Sequence, residues 1–231
     1  LGILILEGYG LTETTGATNV NRPDRFRFGT VGPAMPGCEL RIADDGEILV
    51  RGAGVMDGYR GLEEETRAVL DPQGWLHTGD IGELRDGFLT ITDRKKDLIV
   101  LSSGKNIAPL PLEGRLELGE GIAHAVVVGE GRTHLVALIG LDREPMLALS
   151  RREGLGCRTY ADLARHPRVR QVVQGHIDRL NADLANFEAI RRFTIPEAEF
   201  CEATGELTPT GKVRRREVLG RYTGLIDALY R

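Results

Sequence analysis

The sequence has few cysteines and no long apolar run, and both absences narrow its class. Its three cysteines stand apart with no C-x-x-C pair, which argues against a disulfide framework and against a zinc site. The longest apolar runs, "LGILIL" and "LIVL", are far too short to span a bilayer. No charged region precedes the first run, so it does not resemble a signal peptide. We therefore expect a cytoplasmic protein with no transmembrane segment.

An excess of one charge sign is also missing. The 231 residues include 30 Lys and Arg against 34 Asp and Glu, so the net charge of -4 gives no reason to expect a nucleic-acid partner. The basic run at 214–216 is short and has no interleaved aromatic residue, unlike a single-strand binding surface. A hydrophobic share of 41% is enough for one large or two modest domains with a core.

The character of the chain changes near residue 95. Before it, "CELRIA" and "EILVR" flank "DDG", and "IGELR" and "FLTIT" flank "DG", which predicts two β-hairpins. After it, helical patterns accompany three predicted strands, "DLIVLSS", "AHAVVVG" and "THLVALIGL". The segment "TDRKKD" between the two parts has no apolar residue, so we predict an exposed connector between domains 1–95 and 96–231.

One helix is predicted with particular clarity after Pro167. Apolar residues recur there at steps of three and four, which places them on one face of an amphipathic helix. The residues of this predicted face are Val169, Val173, Ile177, Leu180, Leu184 and Phe187.

Several familiar sites are excluded by their spacing. "GYGLTE" has Glu13 where a dinucleotide fingerprint needs its third glycine, and no helical pattern follows it. "TPTGKV" lacks the first glycine of a phosphate-binding P-loop, since that position is Glu206, and no Ser or Thr follows Lys212. The five histidines form no H-E-x-x-H motif, and there is no G-x-S-x-G elbow.

Four loops together indicate a protein family that no single one of them would indicate. The first, "EGYGLTETTG", follows the apolar run at the start, which looks like a buried strand ending in a ligand loop. In order along the chain, the four are "GYGLTE" at 8–13, "GWLHTGDIGEL" at 74–84, "TDRKKDLIVLSSGKNIAP" at 92–109 and "GELTPTGKVRR" at 205–215. Together they resemble the C-terminal part of an adenylate-forming, AMP-binding enzyme, and the resemblance runs along nearly the whole chain.

The resemblance implies an α/β (α+β) fold and a two-step reaction. Residues 1–95 would be the β-rich end of a large N-terminal adenylation domain, and 96–231 a small mobile α+β C-terminal lid with its hinge at about Lys96. A carboxylic acid would attack ATP, with Mg²⁺, to give an acyl-adenylate and pyrophosphate. The thiol of coenzyme A would then displace AMP to give a thioester.

The "GKNIAP" sequence and the stretch at 160–193 are most similar to the bacterial long-chain fatty acyl-CoA synthetases. Two alternatives remain open: an adenylation domain that loads a carrier protein, and a nucleotide- or CoA-binding module without catalysis. The resemblance also leaves room for peripheral association with a membrane. The family's phosphate loop would precede residue 1, so we expect a fragment that is inactive without the missing N-terminal part of the same protein.

The resemblance assigns nucleotide-binding roles in the first motif. Tyr9 would lie against adenine, which suits a rigid aromatic ring with one polar end. Gly10 would allow the backbone to approach the nucleotide. Thr12 would hydrogen-bond the α-phosphate, and Glu13 would bind Mg²⁺, a hard cation that prefers oxygen ligands.

The next two motifs supply the ribose contacts and the hinge. Asp80 would accept hydrogen bonds from both ribose hydroxyls, as a carboxylate is able to do. Arg94 would reach the same ribose with its forked donors. Lys96 would be the hinge residue that absorbs the backbone rotation between the two half-reactions.

The remaining assignments fall on the predicted lid. Gly104 would line the tunnel for the pantetheine arm of coenzyme A, and Lys105 would lie beside it. Lys212 would span the carboxylate and the phosphate in the first half-reaction, as a mobile ammonium group is able to do.

Overall fold

The computed structural model describes residues 3–231, which divide into two compact units, 3–97 (unit 1) and Leu98–Arg231 (unit 2). Helices and mainly antiparallel sheets occur together, which confirms the predicted α/β (α+β) class. The structure separates the units after Asp97, whereas the sequence analysis placed the boundary after residue 95. The assignment of the two parts to an adenylation domain and a mobile lid stays a prediction.

Unit 1 is built on two antiparallel sheets. The smaller one pairs β1 (Gly8–Gly10) with β2 (Ala17–Val20). The larger one has four strands in chain order: β3 (Cys38–Ile42), β4 (Glu47–Gly52), β5 (Leu76–Arg85) and β6 (Phe88–Arg94). One short helix, α1 (Glu63–Val69), precedes β5.

Both predicted hairpins of unit 1 are confirmed. β3 pairs with β4 and β5 pairs with β6, each antiparallel. The second turn contains Asp86 and Gly87, which both have positive φ, at 53° and 79°. Two such residues in succession match the twist of the flanking strands, which is why Asp-Gly favours a tight hairpin.

Two sequence interpretations of unit 1 are wrong. The segment "TDRKKD" is not wholly an exposed connector, because β6 extends through Arg94 and Asp93 is buried. A strand needs backbone pairing, not apolar side chains, and β5 provides the partner. The apolar run before Gly8 is no buried strand either: residues 3–7 are irregular, and Ile3 and Ile5 are strongly exposed. Leu1 and Gly2 of that run lie outside the described residues.

Unit 2 has a three-stranded sheet with β10 at its centre. Its strands are β9 (Ile122–Val128), β10 (Leu135–Leu141) and β11 (Ile190–Thr194), after a short ladder of β7 (Ile99–Val100) and β8 (Asn106–Ile107). β9 and β10 confirm two of the three predicted strands, whereas "DLIVLSS" contains only the two residues of β7. β10 is antiparallel to β9 and parallel to β11.

Helices cover both faces of this sheet. They are α2 (Pro109–Glu117), α3 (Arg143–Glu153), α4 (Tyr160–Arg165), α5 (Pro167–Asn181), α6 (Arg215–Arg221) and α7 (Thr223–Ala228). Because side chains alternate along a strand, Ala137 and Ile139 of β10 pack with the cluster that includes α2 to α5. Val136 and Leu138 face the opposite side and pack with the cluster of α6 and α7.

The predicted helix after Pro167 is confirmed, but it is shorter than its apolar pattern. Val169, Val173, Ile177 and Leu180 are buried on one face of α5, as expected. The helix ends at Asn181, whose side-chain amide donates to and accepts from the backbone of Ile190. Leu184 and Phe187 of the predicted face therefore lie beyond the helix. An amide side chain that competes for backbone groups favours such an end.

Leu116 in α2 and Leu118, just after the end of α2, form a matched pair of leucines for a test of the core of unit 2. Leu116 is 1% exposed, whereas Leu118, two residues later, is 87% exposed. We expect Leu116→Ala to lower the free energy of unfolding by about 2–5 kcal/mol because it leaves a cavity. Leu118→Ala should change it by less than about 0.5 kcal/mol. Urea unfolding followed by circular dichroism measures both, and equal losses would contradict the assignment of this core.

Candidate functional site

The carboxylate of Asp80 is the point where three strands of unit 1 meet. Asp80 lies on β5 opposite Arg94 of β6, and its side chain is 5% exposed. Its Oδ2 accepts a hydrogen bond of 2.6 Å from the hydroxyl of Tyr9 on β1. Its Oδ1 lies 3.1 Å from Nε of Arg94. A buried carboxylate is costly without such partners, so both contacts stabilise this arrangement.

Tyr9 is a core residue with its polar end turned to Asp80. Its ring packs in the apolar cluster that contains Ile48, Val50 and Leu89. Burial, followed by the hydrogen bond to Asp80, raises the pKa of Tyr9 far above that of a free tyrosine. The phenol therefore stays a donor at any physiological pH. The contact with adenine stays a prediction.

The packing of the β1–β2 hairpin itself requires a glycine at position 10. A Cβ at this position would lie 2.2 Å from the carbonyl oxygen of Gly16, so only glycine permits the close approach of the two hairpin arms. The turn itself is held by Thr14, whose hydroxyl accepts from the amide of Leu11. Thr12 is exposed and is not part of this bond. Its contact with a phosphate stays a prediction.

Glu13 is held by a tyrosine that the sequence analysis did not identify. The hydroxyl of Tyr59 donates to Oε1 of Glu13 at 2.8 Å. The amide of Met56 also donates to the carbonyl oxygen of Glu13, at 2.8 Å. These two contacts fix the residue from the segment between β4 and α1, and they leave Oε2 of Glu13 outside the bond with Tyr59.

A cavity of about 330 Å³ brings Glu13 and Arg94 together in unit 1. Besides Tyr59, its wall contains Glu47, His77 and Lys95, which were not predicted. Two of them lie inside motifs of the family and so could have been proposed from the sequence: His77 is in "HTGD" and Lys95 is in "TDRKKD". The sequence does not single out Glu47, because a glutamate at the start of a strand after a "DDG" turn is common.

The carboxylate of Glu47 has donors from three directions. It accepts from Nδ1 of His77 and from Nζ of Lys95, each at 3.0 Å, and from the amide of Gly79 at 2.9 Å. Lys95 also pairs with Asp45 at 2.7 Å. Burial by itself would raise the pKa of Glu47, but these donors hold it below its ordinary value. The group is therefore a carboxylate at neutral pH.

Lys96, the predicted hinge residue, lies in a short 3-10 turn, Lys95–Asp97, and is exposed. It borders a second cavity of unit 1, of about 390 Å³, whose wall also contains Thr78, Gly79 and Arg94. Its role as a hinge stays a prediction.

Gly104 and Lys105 lie in an exposed turn of unit 2 between β7 and β8. Gly104 has φ of 78°, a conformation that favours glycine, and an added Cβ would meet nothing within 4 Å. The backbone conformation is therefore the reason for glycine within this unit. Nζ of Lys105 lies 5.4 Å from the centre of the Phe187 ring. The role of both residues in CoA binding stays a prediction.

Lys212 lies at the end of a tight turn in unit 2 and is exposed. Its amide donates to the hydroxyl of Thr208 at 3.0 Å, and its carbonyl oxygen accepts from the amide of Thr208 at 2.8 Å. Gly211 within the turn has φ of 78°. The ammonium group is thus presented to solvent on a turn whose backbone is fixed.

Beneath that turn, Glu206 is a buried carboxylate with a full set of donors. Oε1 accepts from the hydroxyl of Tyr222 at 2.7 Å and lies 3.1 Å from Nε of Arg221. Oε2 accepts from the amide of Cys201 and from the hydroxyl of Thr204. Burial alone would raise the pKa of Glu206, but these hydrogen bonds hold it below its ordinary value. The carbonyl oxygen of Glu206 then accepts from the amide of Arg214, just after the lysine turn.

Metal ligands are sparse in the part of the chain that the structure describes. Residues 3–231 contain no group of three or more His, Cys, Asp or Glu side chains arranged to hold a metal ion. A single carboxylate such as Glu13 fits Mg²⁺ nevertheless, because this ion is commonly bound by one or two carboxylates together with water and substrate phosphates. No helix in the same residues is both long and apolar enough to cross a membrane.

The chain belongs to the AMP-binding enzyme family. Residues 96–231 match the AMP-binding enzyme C-terminal domain, and residues 1–60 match the AMP-binding enzyme domain that precedes it in this chain. The match confirms the family that the four motifs predicted.

Relatives in this family include named ligases. The long-chain-fatty-acid–CoA ligase FadD15 of Mycobacterium bovis is 43% identical over 99% of this chain and 38% of its own length. The human long-chain-fatty-acid–CoA ligase ACSBG1 is 33% identical over 100% of this chain and 35% of its own length. The chain therefore spans little more than a third of the curated relatives it matches.

A solved structure supports the fold. The A domain of carboxylic acid reductase from Segniliparus rugosus, in complex with AMP and a co-purified carboxylic acid, matches with a TM-score of 0.73. The match covers 97% of this chain and 35% of that chain at 24% identity, so it bears on the fold alone.

Removing the hydroxyl of Tyr9 tests the contact with Asp80. We expect Tyr9→Phe to lower the free energy of unfolding by about 1.5–3 kcal/mol, because a buried carboxylate loses a donor. Tyr59→Phe is the matched control, since the bond to Glu13 is only partly buried and should contribute about 1 kcal/mol or less. Denaturant unfolding monitored on unit 1 measures both variants. A smaller loss for Tyr9→Phe than for Tyr59→Phe would contradict the importance of the Asp80 contact.

Proposed function

We propose that this chain forms part of the active site of an AMP-forming acid–CoA ligase that acts on long-chain fatty acids. The observation that carries the proposal is the convergence of Tyr9, Asp80 and Arg94 on one buried contact, beside a cavity that Glu13 also lines. These four residues come from three of the four motifs typical of the family. The names of the 43% and 33% identical relatives support the substrate class.

Asp80 and Arg94 are well suited to hold a ribose. A carboxylate offers about four lone-pair sites. Tyr9 and Arg94 use two of those sites, and the cis-diol of a ribose would take the others. Arg94 has a 53% exposed side chain, so its remaining donors would reach the same sugar. Both groups are held in place before a nucleotide binds, which reduces the entropy lost on binding.

Glu13 would hold Mg²⁺, which supplies charge neutralisation at the phosphates. Tyr59 would orient the carboxylate through Oε1, so that Oε2 is directed to the ion. Thr12, exposed beside it, would donate to the α-phosphate.

In unit 2, Lys212 would act in acyl-adenylate formation, and Gly104 with Lys105 would act in thioester formation with coenzyme A. Lys96 would be the hinge between these two states. The exposure of Lys212 on a fixed turn supports the first assignment, because a charge presented this way needs no backbone change to reach a ligand.

The proposal also includes the rest of the protein and its location in the cell. A preceding N-terminal part of the same protein would cover the exposed apolar residues at 3–5 and complete the site. We propose a cytoplasmic protein with peripheral membrane association. Phe26 and Phe28 support the association, because both are exposed and Arg25 and Arg27 alternate with them.

ATP–pyrophosphate exchange tests the function directly. The intact protein would be assayed with fatty, aryl and amino acids beside the 231-residue chain alone. We expect exchange with long-chain fatty acids by the intact protein and none by the chain. Exchange with amino acids only, and transfer to a carrier protein, would replace the ligase by an adenylation domain.

Lys212→Ala tests whether Lys212 acts only in the first of the two half-reactions. We expect it to lower acyl-adenylate formation by at least about 100-fold, because it removes a charge that stabilises the transition state. Thioester formation from a supplied acyl-adenylate should be unchanged. Arg216→Ala, an exposed cation a few residues later, is the control and should leave both steps intact. Equal loss of both half-reactions in Lys212→Ala would refute the assignment.

Lys96→Pro tests the hinge. Proline fixes φ near −65°, so it should hinder a backbone rotation at this residue. We expect pyrophosphate exchange to be spared and thioester formation to fall, as measured by CoA consumption. Lys96→Ala, which leaves the backbone free to rotate, should keep both steps. A parallel loss of exchange in Lys96→Pro would show that the residue has another role.

A further inference from the structure

We propose that Glu47 is a positioning residue for nucleotide binding: it fixes the two chain segments that carry Asp80 and Arg94. The inference rests on the proposed function, because it concerns the same ribose contacts. Glu47 itself need not touch the nucleotide. It would act through the residue before Asp80 and the residue after Arg94.

The geometry of the contacts carries this inference. Oε1 of Glu47 accepts from the amide of Gly79, which directly precedes Asp80. Oε2 accepts from Nζ of Lys95, which directly follows Arg94. One carboxylate therefore links the two strands at the place where Asp80 and Arg94 face each other.

The backbone at this place needs such a link. The pairing of β5 with β6 shifts register between Ile81 and Gly82, so the ladder is irregular just beside Asp80. Gly79 has φ of 71° and no side chain to hold it. A glycine has more backbone conformations available than other residues, and the hydrogen bond from the Gly79 amide to Glu47 restricts them.

Glu47 is itself held firmly. Its side chain is 5% exposed, and its amide donates to Oδ1 of Asp45 at 3.1 Å. Its carbonyl oxygen accepts from the amide of Ala43. Asp45 in the turn before β4 also pairs with Lys95, so this lysine, directly after β6, contacts two carboxylates. His77, the third donor to Glu47, contacts Oε2 and also lines the cavity.

The test compares Glu47→Gln, Glu47→Asp and the control Glu39→Gln. Glutamine keeps the shape and one acceptor but loses the charge that attracts Lys95 and His77, whereas aspartate keeps the charge. Glu39 is a matched control because it is another charge-paired glutamate of the same sheet, but it lies on the edge strand β3 and its bidentate pair with Arg51 is exposed.

The first measurement needs no activity. Amide hydrogen exchange of Gly79 is followed in the full 231-residue chain. We expect exchange to be roughly tenfold faster in Glu47→Gln, because the neutral amide loses the pairs with Lys95 and His77 that hold it in place, and any remaining bond to Gly79 is no longer charge-assisted. Glu47→Asp should recover part of the protection, and Glu39→Gln should leave Gly79 unchanged. Unchanged exchange at Gly79 in Glu47→Gln would overturn the proposal.

The second measurement uses the intact ligase. We expect Glu47→Gln to raise the KM for ATP roughly tenfold while kcat and the KM for the acid change less than about twofold. A uniform loss of kcat, with KM values unchanged, would mean that Glu47 only supports the fold, and would overturn the proposal. Failure of the wild-type protein to adenylate any acid would overturn the proposed function, while the exchange of the Gly79 amide would still decide whether Glu47 fixes this segment.

Discussion

The organisation of unit 1 depends on a negative charge that is kept out of water. Asp80 is buried, and a buried carboxylate is tolerated only where donors surround it. Those donors come from β1 through Tyr9 and from β6 through Arg94. The contact therefore ties the small two-stranded ladder to the four-stranded sheet. The hydrogen bond between Tyr9 and Asp80 therefore also positions the loop that follows Tyr9 and contains Glu13.

Each unit contains a buried glutamate whose carboxylate has several hydrogen-bond donors. In unit 1 the buried Glu47 holds Lys95, and in unit 2 the buried Glu206 anchors the backbone just after Lys212. In each case several donors, not one, keep the glutamate charged. The carboxylate of Glu47 contacts the ammonium group of Lys95 directly, whereas Glu206 contacts the segment after Lys212 through its backbone carbonyl oxygen and leaves the lysine side chain exposed.

The sequence predicted those parts of the structure that local chemistry decides. Asp86 and Gly87 determine a tight turn by themselves, and the face from Val169 to Leu180 determines a helix. It did not predict where that helix ends, because the competing bonds of Asn181 go to Ile190, which no local pattern indicates. The family's motifs placed Tyr9, Asp80 and Arg94 on one ligand before the structure showed them in contact.

The network around Glu47 was beyond sequence reasoning for a similar reason. His77 and Lys95 are far from Glu47 along the chain, and ion pairs at such separation leave no periodic signal. The burial of Asp93 does not follow from the composition of its charge-rich segment, because pairing with β5 decides the structure there. Charged residues in strands therefore need the sheet to be known before their exposure is inferred.

The β5–β6 hairpin also limits how this part of the protein is able to evolve. Asp80 and Arg94 face each other near one end of the hairpin, and the Asp86–Gly87 turn forms the other end. A residue inserted into either strand would turn every following side chain to the opposite face and separate the pair. Residues inserted at the turn would leave the pairing intact. Length variation among relatives is therefore expected to accumulate at the turn, and the strands between it and the pair are expected to keep their length.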